Sequence, residues 1–216
     1  ASAAPTVTVG RVPGTFVAPG RVGEYQLTPN GEFGALLSSG GGLQSFCIER
    51  GVYVQAEPAT TYNVAVSGKV MNSGVPLTLE AAYLYTQFRD GTLAGHDYTV
   101  GDGRADSARS LQAAIWHVQG QGSDLIDLLN PNPPWVPMGA GSDGALLAQL
   151  FIDEAMAPGW ISTGHARVLN LYSWEVTSCV DNQDMLGLFA IPAPGALMLG
   201  AIGAVLVCWS RRRSGC

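Results

Sequence analysis

Two residues of this chain have the types needed to make and break a covalent bond together. Cys47 stands in a short apolar run, Phe46-Cys47-Ile48, with Glu49 and Arg50 behind it. Gln112 stands between Leu111 and Ile115, in the middle of an otherwise apolar helical face. A buried amide without partners costs on the order of 1–3 kcal/mol, so a glutamine there either pairs with backbone groups or reacts. A thiol facing that amide can attack its carbon and expel ammonia, which leaves an internal thioester. Sulfur suits both halves of this chemistry, because a thiolate is a strong nucleophile near neutral pH and a good leaving group. The stored acyl group is then open to an incoming amine. Glu49, two residues from Cys47 on the same strand face, is a candidate for orienting the thiol; the alternative is a solvated or salt-bridged edge residue.

The elements that would hold these groups follow from patterning. Val22 to Leu27, Ser45 to Glu49 and Tyr62 to Val70 read as strands. A helix is expected from near Pro76 to Asp90-Gly91, with Ala81, Leu84, Tyr85 and Phe88 on one face. A second runs from Asp106 or Ser107, read as the N-cap, to about Gly120, with Ala108, Leu111, Gln112, Ile115, Val118 and Gln119 sharing a face. After the Pro-rich stretch Asn130 to Trp135, a third helix starts at Ser142 or Asp143, with Leu147, Leu150, Phe151 and Glu154 as its face. Val168 to Val176 and Met185 to Phe189 read as late strands. Strands, then helices, then strands again argue for an α+β fold: an antiparallel β subdomain with a small helical subdomain.

The Cys and Gln motifs resemble those of the thioester domains of bacterial surface adhesins. That family carries the Cys in an aromatic-Cys-aliphatic strand and the Gln in a Gln-x-Ala-Ile-Trp helix. Phe46-Cys47-Ile48 and Gln112-Ala113-Ala114-Ile115-Trp116 match these patterns, and Tyr83-Leu84-Tyr85 looks like the Leu-Tyr segment between them. The resemblance covers roughly residues 40 to 120. It implies a thioester between a β and a helical subdomain, and covalent capture of host-protein lysines. The chain's one lysine, Lys69, fits that chemistry, since few internal amines means few self-attackers. The competing reading is a disulfide between Cys47 and Cys179, worth about 2–4 kcal/mol in an oxidising compartment, which would consume the nucleophile.

Composition bounds the rest. With 216 residues, 47% hydrophobic and 13% charged, the chain is too apolar for disorder over most of its length. A net charge of −6 leaves no basic stripe for nucleic acid. His96, His117 and His165 show no metal-ligand spacing. No cofactor fingerprint, nucleophile elbow or P-loop occurs, so neither a cofactor nor a metal is expected.

The small residues of Ala1-Ser2-Ala3-Ala4 suit a position near a signal-peptidase site. At the other end, Ile191 to Gly195 holds two prolines, Ala196 to Trp209 carries no charge, and Arg211, Arg212 and Arg213 follow. Physics makes this a marginal membrane segment with its arginines on the cytoplasmic side. The arrangement Pro192-Ala193-Pro194, apolar run and arginine cluster resembles a PEP-CTERM sorting signal of Gram-negative bacteria, recognised by an exosortase. The expectation is an exported protein in two parts, a body over 1–190 and a sorting tail over 191–216 with a single transmembrane helix. It would be anchored in the inner membrane during sorting, then sit at the cell surface or outside. Its function would be covalent attachment to an amine or hydroxyl of a protein or polysaccharide partner, once per molecule and without enzymatic turnover. The alternative is a non-reactive structural protein of an extracellular matrix or biofilm.

Overall fold

The structure, a computed structural model, describes residues 4–13, 15, 23–30, 43–125, 142–157, 159–175, 178–181 and 183–189. The strands are β1 (Thr6–Arg11), β2 (Tyr25–Asn30), β3 (Leu43–Ser45), β4 (Thr60–Ser67), β5 (Ala166–Glu175), β6 (Ser178–Asp181) and β7 (Met185–Leu188). The helices among the described residues are α1 (Leu79–Asp90), α2 (Asp102–Val118) and α3 (Ser142–Ala155). The result is a mixed architecture, one antiparallel sheet with helices inserted between its fourth and fifth strands.

β1 is set by alternation, with Val7 and Val9 buried between threonines that face outward. It pairs with both β2 and β4, and β4 pairs with β5. β6 and β7 share the remaining edge of β5, but their registers differ by one residue: Tyr172 faces Asp181, whereas Leu169 faces Met185. A step of this kind is a β-bulge, which redirects side chains next to it. At the step, Asn170 Nδ2 donates to Asp184 Oδ2 at 2.7 Å, and the Met71 amide donates to the same carboxylate.

Residues 46–48 then join the two ends of the sheet. β3 lies against β2, while Leu186 N donates to Phe46 O at 3.1 Å and Ile48 N to Asp184 O at 3.0 Å. Phe46 and Ile48 therefore point into one apolar cluster with α1, α2 and α3, and Cys47 points into the other, with Val9, Tyr25, Leu27, Leu171 and Met185. Gln112 lies where α2 crosses the border, since Leu111 and Ile115 belong to the helical cluster and Ala113 and Trp116 to the sheet cluster.

Several elements depart from their sequence expectations. β1 and β6 are additional to the strands expected, and β2 runs through Pro29 to Asn30. α1 begins after Thr78, whose hydroxyl accepts from Ala81 N at 3.2 Å, rather than at Pro76. α2 begins a turn early, at Asp102. Asp106 is therefore not its cap, and instead meets Arg109 at 3.6 Å within the helix. The added turn carries Arg104, which pairs at 2.8 Å with Glu24, the residue just before β2. On α3 the buried face is Ala148, Phe151, Ile152 and Ala155, while Leu150 is exposed. The Pro-rich stretch 130–135 and the 191–216 tail lie outside the described residues.

His96 fills a cleft among Phe88, Tyr98 and Phe151, with ring centroids 5.1, 4.4 and 6.3 Å away. Burial, helped by the Arg104 charge and opposed by Asp97, pushes it down to about 4. A folded-state value below the unfolded one means stability is complete above the ordinary histidine range and is lost as pH falls towards 4. The expected loss between pH 6.5 and 4 is on the order of 2 kcal/mol, discounted for partial solvent access. Urea midpoints across that range should fall for the wild type, with this component missing in His96→Phe; equal slopes in both proteins would refute the assignment.

Candidate functional site

The side chain of Gln112 and the backbone of Cys47 form a closed pair. Cys47 N donates to Gln112 Oε1 at 2.9 Å, and Gln112 Nε2 donates to Cys47 O at 2.6 Å. Both residues are buried, at 5% and 1% exposure. The two bonds satisfy both ends of the amide and fix its plane against the strand. They also place the Cys47 N–H on the oxygen that would become negative if the amide carbon were attacked, which is the geometry of an oxyanion donor.

The thiol is held differently. Burial pushes Cys47 up to about 12, and the nearby Glu49 charge adds to the rise. Glu49 is itself buried and accepts from Asn72 Nδ2 at 3.0 Å, while its backbone oxygen accepts from Gln183 Nε2 at 2.7 Å. It thus raises the thiol rather than activating it. Working against burial is the nearby Tyr25 hydroxyl, within hydrogen-bond reach of the sulfur, which favours the thiolate. Tyr25 comes from β2, directly opposite Ser45, and is 5% exposed. Its own acidity is pushed well below the usual phenol level by burial and by Cys47.

Cys47 carries a free thiol, so the disulfide to Cys179 is not formed. The strand register accounts for this. Cys47 bridges to Met185, which faces Leu169 of β5, whereas Cys179 faces Trp174, five residues further along the same strand. At about 3.3 Å per residue that separation far exceeds disulfide reach. Pro192, Ala193, Pro194, Arg211, Arg212 and Arg213 lie outside the described residues.

Tyr25, Asn72 and Gln183 escaped sequence reasoning. The alternation of Gly23, Tyr25 and Leu27 marks Tyr25 as inward-facing, but nothing local says that its hydroxyl would meet a thiol. Among the described residues no group of acidic, His and Cys side chains could hold a metal ion, and no helix is long and apolar enough to cross a membrane.

No protein-family model and no curated protein matches the chain. Among solved structures, the chain is similar to the N-terminal thioester domain of fibronectin-binding protein SfbI from Streptococcus pyogenes. The identity is 14%, the TM-score is 0.47, and the match covers 86% of this chain and 94% of that one.

Proposed function

We propose that this chain is a single-use covalent attachment module, in which Cys47 and Gln112 close into an internal thioester that a partner's amine or hydroxyl opens. The observation that carries this reading is the buried pairing of the Gln112 amide with the backbone of Cys47, the residue bearing the thiol. In closure Sγ attacks the Gln112 amide carbon, the C–N bond breaks and ammonia leaves. In attachment the partner's nitrogen or oxygen attacks the same carbon and the thiol is released. The partner class is a surface or matrix protein or a polysaccharide, and each molecule acts once. Delivery to the cell surface would fall to the 191–216 tail through exosortase-type machinery. Lys69, the chain's single lysine, leaves few internal amines to compete.

The test is the intact mass of the protein purified without reductant, before and after methylamine. The expected native mass is short by one ammonia, and methylamine then adds its full mass. Cys47→Ala abolishes both changes and is a clean control, because the pairing uses only the backbone of residue 47. A full native mass, inert to methylamine, would leave Gln112 as a structural tie. One observation favours that second reading: Gln119 clasps Pro76 O and Thr78 N, at 2.8 and 3.1 Å, in the same manner. The chain would then be a non-reactive matrix protein.

A further inference from the structure

A thiol held near 12 is about one part in 10⁵ thiolate at pH 7. Chemistry at Cys47 therefore cannot rely on a standing thiolate, and a proton must move with the sulfur. The site supplies one group for this. Tyr25 and Cys47 lie in the same buried cluster, Tyr25 directly across from Ser45 and so on the same face as Cys47 two residues on, with the phenol hydroxyl within hydrogen-bond reach of the sulfur. Tyr25 is also the one position of β2 that lies directly across from Arg11 of β1. Arg11 in turn pairs with Glu57 at 3.0 Å.

We infer that Tyr25 is the catalytic proton carrier of the Cys47–Gln112 site, giving its hydroxyl proton to Sγ as the thioester opens and taking the thiol proton as it closes. This rests on the thioester reading above. When an amine attacks the Gln112 carbonyl carbon, the C–S bond breaks and the electron pair stays on sulfur. Tyr25 Oη–H protonates that sulfur, and the proton lost by the attacking amine restores the phenol. The products are a secondary amide, a thiol and an unchanged tyrosine. Closure is the microscopic reverse with ammonia as the amine. The thiol proton passes to Oη, the phenol proton goes to the departing nitrogen, and no net charge is left on the tyrosine. A hydroxyl within hydrogen-bond reach of the sulfur is placed for proton transfer in either direction.

The experiment is the rate of methylamine opening, followed by intact mass, in wild type and Tyr25→Phe. That change keeps the ring packed and removes only the hydroxyl. The expected result is either no ammonia loss at all in Tyr25→Phe or an opening rate lower by about 10²-fold, within the range for a lost proton-transfer group. If Tyr25→Phe fails to fold, 3,5-difluorotyrosine placed at position 25 decides the matter. It changes phenol acidity with little change in size, and the opening rate should shift with it. Equal opening rates in wild type and Tyr25→Phe, or in wild type and the difluoro variant, would overturn the role of Tyr25 while leaving the thioester intact. A wild-type protein that never loses ammonia would overturn the thioester itself, and the proton carrier with it.

Discussion

Glu24→Gln should lower the free energy of unfolding by about 3–5 kcal/mol, the usual consequence of removing one partner from a buried ion pair. Glu24 is wholly buried, and its two carboxylate oxygens accept from Arg104 Nε at 3.0 Å and Nη2 at 2.8 Å. The remaining guanidinium nitrogen, Nη1, donates to Tyr98 O at 3.1 Å. A glutamine can accept on one oxygen only, so its NH₂ would face a guanidinium N–H, and the Arg104 charge would stay buried without its counter-charge. The large effect reflects the broken pair and not the net worth of the intact one. Glu24→Leu combined with Arg104→Met should therefore recover most of the loss, since apolar replacement of both partners is often close to neutral. Urea unfolding monitored by tryptophan fluorescence measures both. A single substitution within 1 kcal/mol of wild type, on the order of a surface pair, would show that the pair is solvated. The pair matters beyond stability because it ties the start of β2, which carries Tyr25, to the first turn of α2, which carries Gln112.

That pair also shows where the sequence was readable and where it was not. Gln112 was legible because an amide among Leu111, Ala114 and Ile115 contradicts its own surroundings, and local contradiction is a local signal. α1 was legible for the same kind of reason: Ala81, Leu84, Tyr85 and Phe88 recur at helical spacing, and all are buried. The first turn of α2 was not. Asp102, Arg104 and Asp106 look like a polar approach to a helix, and only Glu24, eighty residues away, makes Arg104 a core residue. β1 went unread because its buried set is just Val7 and Val9, too short an alternation to stand out from a Gly- and Thr-rich stretch. On α3, Leu150 of the expected face is 47% exposed, while Ala148 faces the core. Hydrophobicity alone favours Leu150, whereas close packing against α2 favours the smaller side chain. The sequence reading thus singled out both members of the Cys47–Gln112 pair. It missed the phenol beside the thiol and the bulge that holds Gln183 against the strand of Cys47, because each depends on pairing between distant strands.

Gln112→Glu, made in a Cys47→Ala background so that no thioester complicates the comparison, should convert a pH-independent contact into a pH-dependent one. One oxygen of the new carboxyl can accept from the residue 47 amide, as Gln112 Oε1 does at 2.9 Å. The other would replace Nε2, which lies 2.6 Å from the carbonyl oxygen of residue 47. Two acceptors at that distance repel unless the carboxyl keeps its proton, and burial also favours the neutral form. The folded-state pKa is therefore raised above the ordinary glutamate value of about 4.3. The sign follows: stability close to that of Cys47→Ala is present below that value and is lost as pH rises through the folded-state pKa. At pH 8 the deficit should reach about 3 kcal/mol, in the range for a buried charge left with a mismatched partner. Urea midpoints at pH 4 and pH 8 test this, and equal deficits at both would show that the carboxylate escapes to water. The same carboxylate is the product if water, rather than a partner, opens the thioester. Opening by an amine leaves a secondary amide instead, which is neutral at every pH and carries no titrating group into the site. Attachment would therefore leave a contact between α2 and the strand that is indifferent to pH, whereas hydrolysis would leave one that weakens as pH rises.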